Sequence, residues 1–126
     1  MNTKHLTTKI LTLLLILSSI FSSCKNSGNN LSIVVKETHN QYQLAIDYNK
    51  SKTDSVEQYL TRFIGQDTIF KAAHPSEINV TMADKTTFVI KSTPGDFNLT
   101  FDKSKNSKTA LNRVKKINEE LKPILN

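Results

Sequence analysis

The chain of 126 residues has a single cysteine, no tryptophan, three glycines and three prolines. A lone cysteine cannot close an internal bridge, so a disulfide-stapled miniprotein is excluded and stability has to come from packing. Three glycines, at positions 28, 65 and 95, cannot build a G-x-G-x-x-G or P-loop phosphate cradle, still less a collagen-like repeat. No internal repeat is present, and the length is too short for two independent cores, which sets aside solenoids and multidomain enzymes. Hydrophobic residues make up 37% and charged residues 22% of the chain, too apolar for a disordered polymer and sufficient for one small core.

Residues that carry chemistry are equally sparse. Beyond the first segment only His39 and His74 remain, and neither has a partner at metal-ligand spacing. Carboxylates are scattered singly except for Glu119-Glu120, where adjacent helix positions point apart, and nothing resembles G-x-S-x-G. The expectation is a domain without catalytic residues, metal or cofactor.

Charge tells a mild story. The chain carries 17 basic and 11 acidic side chains, and setting aside Lys4 and Lys9 of the first segment leaves 15 basic ones. Much of the excess lies in Lys103, Lys105, Lys108, Arg113, Lys115, Lys116 and Lys122. No aromatic residues interleave with this run, so it reads as a solvated helix face rather than a nucleic-acid surface, with anionic lipid head groups as the functional alternative.

The clearest pattern is at the start. Lys4 and Lys9 precede an apolar run from Ile10 to Phe21, and the run ends in Ser22-Ser23-Cys24. This is the basic, apolar, small-residue order of a secretory signal, and about a dozen apolar residues fall short of the roughly 20 that span a bilayer. Phe21-Ser22-Ser23-Cys24 resembles the lipobox of bacterial lipoproteins, with phenylalanine in place of the usual leucine, as is common in Bacteroidota. The resemblance covers the first 24 residues. It implies lipidation of the Cys24 thiol, cleavage just before it, and a membrane anchor of acyl chains (palmitate among them). The expected organisation is a signal peptide over 1–23, a flexible tether over 24–30, and a single domain over 31–126. The tether lacks the acidic cluster that resembles a surface-export signal in some Bacteroidota lipoproteins, which points to the periplasmic side of the outer membrane.

Patterning of the remaining residues predicts the fold class. Residues 31–38 and 41–48 alternate, and a two-residue loop at His39-Asn40 opposes Val35 to Leu44, Ile33 to Ile46 and Leu31 to Tyr48. Asp54 and Glu57 fit a capping box, followed by a helix with the stripe Val56, Tyr59, Leu60, Phe63, Ile64 and a stop at Gly65. A loop over 66–76 leads to strands over 77–82, 86–92 and 96–102. Their expected registers oppose Val80 to Phe88, Ile78 to Ile90, Ile90 to Leu99 and Phe88 to Phe101. A second helix from about Ser107 carries Leu111, Val114, Ile117, Leu121 and Leu125, with Pro123 expected to fray its last turn. The order ββαβββα predicts an α+β two-layer sandwich: a largely antiparallel five-stranded sheet with two helices on one face.

The opposite sheet face is the candidate binding surface, made of Ser32, Lys36, Gln43, Asn79, Thr81, Thr87, Lys91, Asn98 and Thr100 with Val34, Ala45 and Val89 among them. Such a hydroxyl- and amide-rich face can hydrogen-bond a protein or a glycan. Asp67-Thr68-Ile69 is similar to the short acceptor pattern of Bacteroidota O-glycosylation, which makes Thr68 a candidate modification site. The resemblance therefore implies a lipid-anchored binding or accessory module of the cell envelope, with an envelope protein or a glycan as partner and no nucleic acid. The alternative is a periplasmic inhibitor or immunity lipoprotein.

Overall fold

The computed structural model describes residues 30–70 and 77–126. The expected Cys24 anchor, most of its tether, and His74 lie outside them. The chain forms β1 (Ser32–Glu37), β2 (Gln41–Asp47), a 3-10 turn (Lys50–Lys52), α1 (Thr53–Ile64), β3 (Ile78–Thr81), β4 (Thr87–Thr93), β5 (Asp96–Asp102) and α2 (Lys108–Leu125). All strand pairs are antiparallel, in the order β1-β2-β5-β4-β3. The α+β architecture is the expected one.

Each hairpin follows from its own alternation. Ile33 opposes Ile46 and Val35 opposes Leu44. The two-residue loop is closed by the Thr38 amide donating to the Gln41 carbonyl at 2.8 Å and by the Gln41 amide donating to Thr38 Oγ1 at 3.1 Å. Leu31 falls outside β1, and the Tyr48 amide donates instead to the Gly95 carbonyl at 2.9 Å. In the meander, Val80 opposes Phe88, Ile78 opposes Ile90, and Ile90 opposes Leu99, as the patterning predicts. The β3–β4 loop closes with Lys85 at φ 67°, the left-handed residue that a three-residue hairpin needs after its first turn.

The core lies between one sheet face and the helices. Tyr42, Leu44, Ile46, Phe88, Ile90, Phe97, Leu99 and Phe101 from the strands meet Val56, Tyr59, Leu60 and Ile64 of α1 and Val114, Ile117, Leu121 and Leu125 of α2. Both helix stripes are as expected; Phe63 and Leu111 flank the core. The Tyr59 hydroxyl donates to Glu120 Oε2 at 2.8 Å, and burial followed by this carboxylate pushes its pKa upward.

Two helix ends depart from expectation. The capping box at Asp54 does not form, because the chain enters α1 earlier, through the 3-10 turn capped by Asn49, whose Oδ1 accepts the Ser51 amide at 2.9 Å. Asp54 thus sits inside the first turn, where its charge favours the helix dipole without capping it. Nor does Pro123 fray α2: the helix continues to Leu125, which is buried, and only one amide is lost at a turn already anchored in the core. Ser107 caps α2 by accepting the Ala110 amide at 3.0 Å.

Candidate functional site

Strand alternation sends every second side chain away from the helices, and register aligns these side chains into rungs across the sheet. One rung runs Lys36, Gln43, Thr100, Val89, Asn79 across all five strands. The next runs Val34, Ala45, Asn98, Lys91, and another pairs Thr87 with Thr81. The structure thus gathers the eight candidate residues Lys36, Gln43, Asn79, Thr81, Thr87, Lys91, Asn98 and Thr100 on one face. No described element covers it. Lys36, Asn79, Thr81 and Lys91 are exposed, while Gln43, Thr87, Asn98 and Thr100 are partly shielded by their neighbours.

These side chains differ in how free they are to take a partner. Lys91 pairs with Glu77 at 3.3 Å, and the Asn98 amide donates to Asp96 Oδ1 at 2.5 Å. The Thr87 backbone is held by Asn106, whose Oδ1 accepts the Thr87 amide at 2.9 Å while its Nδ2 donates to the carbonyls of Thr87 and Asp102 at 3.0 and 2.9 Å. Asn106 therefore locks the β4 entry to the β5 exit. The sequence reading missed it because a loop asparagine outside the alternating pattern carries no signal of its distant partners.

At one end of the face Asp47 and Asp96 stand directly opposite across β2 and β5, between Ser32 and Thr93. Burial and the hydrogen bond and charge of Asp47 raise the Asp96 pKa, against the pull of Asn98. A raised native pKa means that stability is fully present below the ordinary carboxylate range and declines as pH rises through the Asp96 transition. Asp47→Asn leaves the burial of Asp96 in place, so it is expected to shrink that decline and to raise stability at neutral pH by up to about 1 kcal/mol, kept small by solvent screening. Urea unfolding of variant and parent across the carboxylate range checks this, since a constant difference at every pH would show that the pair is not coupled.

The basic stripe is largely neutralised. Lys103 and Lys115 both reach Glu37 at 2.7 Å, and Arg113 reaches Asp84 at 2.6 Å. Lys122 pairs with Glu119 and Lys105 lies at 4.0 Å from Asp102. The two lysines hold the Glu37 carboxyl below its usual range, Lys103 most strongly. Five of the seven cations are thus spent on the fold's own acids, leaving Lys108 and Lys116.

His39 is exposed at the hairpin tip, and Thr68 is exposed in the turn after α1. Among the described residues no group of three or more His, Cys, Asp or Glu could hold a metal ion, and no helix is long and apolar enough to cross a membrane. Comparison with family models, with curated proteins and with solved structures finds no match to this chain.

Proposed function

We propose that the chain is a lipid-anchored binding or accessory module of the cell envelope, moored through Cys24 and engaging an envelope protein by its uncovered sheet face. The observation that carries the binding role is the alignment of Lys36, Gln43, Thr100 and Asn79 in one rung of a face that no described element covers. A rigid five-stranded platform holds these donors and acceptors at fixed spacing, so a partner pays little ordering entropy on the protein side. The lipobox-like Phe21-Ser22-Ser23-Cys24 is the basis for the anchor, the tether without an acidic cluster is the basis for the periplasmic outer-membrane address, and Thr68, accessible in its turn, is the position proposed to carry sugar.

The face is tested by paired substitution. Thr81→Glu with Thr100→Glu places two carboxylates on it at positions that leave the core untouched. The double variant is expected to lose the partner recovered with the parent from solubilised envelopes, while its unfolding midpoint stays close to the parent's. Undiminished recovery would place the binding surface elsewhere.

A further inference from the structure

The sheet has two edges, and they are finished differently. At the β3 edge Gln66 Nε2 donates to the Thr81 carbonyl at 3.0 Å, which caps part of a strand only four residues long. The β1 edge has no such cover among the described residues. It also carries the exposed large hydrophobic side chains of the described residues, Val34 and Val35, each 45% exposed. Long, uncovered, β-branched edges are templates for pairing with another strand.

Register decides which backbone groups that edge offers. The Thr38 amide bonds to the Gln41 carbonyl, so the even-numbered residues of β1 turn their amides and carbonyls toward β2. Ile33, Val35 and Glu37 therefore turn theirs outward. A second β1, related by a two-fold axis perpendicular to the sheet, keeps each face continuous only if residues of like parity meet. Every register centred on a residue satisfies this, and two of them, at the middle of the strand, oppose most of β1. Centring on Val35 sets Ile33 against Glu37 and Val34 against Lys36 of the second copy. Centring on Val34 sets valine against valine, Ile33 against Val35, and Lys36 against Ser32, with the outward amides and carbonyls of Ile33 and Val35 in mutual hydrogen bonds. Only the second register buries every exposed apolar group against another, and it leaves Glu37 with Lys103 and Lys115.

We infer that β1 of one chain pairs antiparallel with β1 of a second copy about a two-fold axis at Val34, joining two sheets into one ten-stranded sheet. The occupant is a second copy because the strand is complementary to itself in this register: like charges are kept apart, since the two Lys36 side chains fall about 13 Å from each other along the strands. The pairing uses the sheet edge and leaves the faces free, so it does not depend on the proposed binding role.

Single-cysteine cross-linking tests it on the full-length chain in detergent, with Cys24→Ser removing the native thiol. A directly opposed non-hydrogen-bonded pair has its Cα atoms about 4.5 Å apart, within disulfide reach, so Val34→Cys should form a linked dimer under mild oxidation. Ser32→Cys and Val35→Cys place their thiols beyond that reach from their own copies and should link at least about tenfold more slowly. Val34→Lys, which sets two like charges face to face, should shift sedimentation to the monomer with an unchanged circular dichroism spectrum. Equal cross-linking at the three positions, or a parent chain that sediments as a monomer, overturns the inference. Faster linking at Val35 than at Val34 overturns it as well, because it selects the other register.

Discussion

Gly95→Ala is expected to destabilise the domain by about 2–4 kcal/mol, a loss large enough to lower the melting temperature by roughly 10 to 25 °C for a domain of this size. Two costs combine at this position. Gly95 sits at φ +85°, in the left-handed region that any Cβ disfavours. A Cβ there would also lie 2.9 Å from Lys50 Cγ and 3.0 Å from the Tyr48 carbonyl oxygen, and the latter is backbone that cannot swing aside. The same residue ties three parts of the fold together: its carbonyl accepts the Tyr48 amide at 2.9 Å and its amide donates to Thr53 Oγ1 at 3.2 Å. Pushing this turn outward would therefore loosen the β4–β5 hairpin, the end of β2 and the start of α1 at once. Gly65 is the internal control. It has φ +76° but nothing within 4 Å of an added Cβ, so Gly65→Ala should lose only the conformational cost of about 1 kcal/mol. Equal losses in the two variants, measured by urea unfolding, would show that the close approach at Gly95 contributes nothing.

The contrast between these glycines shows what the residue pattern made legible. Gly65 announced itself because it follows a helical stripe, a purely local signal. The close contact at Gly95 depends on where Tyr48 and Lys50 lie, more than forty residues upstream, and no local pattern reports that. The sheet divides in the same way. The β1–β2, β3–β4 and β4–β5 hairpins could be registered from alternation plus loop length, because a short loop leaves few alignments open. The β2–β5 pairing, which sets Leu44 against Leu99 and Ile46 against Phe97 at the centre of the sheet, joins strands separated by a helix and the rest of the meander. Alternation says which face each strand buries and is silent on its neighbour. The candidate face was legible for that reason, since it needs only parity, whereas the Asp47–Asp96 opposition at its end required the β2–β5 register. The entry to α1 was misread because Asp54 and Glu57 matched a capping pattern while Asn49, further back, had already begun the turn.

Cys24→Ser is expected to move the protein from the membrane fraction to the soluble fraction almost completely. Each buried methylene contributes about 0.8 kcal/mol, so two or more acyl chains hold a small domain on a bilayer stably, and none leaves it dependent on weak surface charge. That charge is a poor substitute here, since Lys103, Lys105, Arg113, Lys115 and Lys122 are engaged by acids of the same chain. Retention of the serine variant in membranes would point to an anchor other than lipid. The intact mass of the protein extracted from its own cells is the most direct measurement. A chain that starts at Cys24 and carries the added mass of a diacylglyceryl group is the expected result. An unmodified chain that still carries residues 1–23 would contradict lipid anchoring.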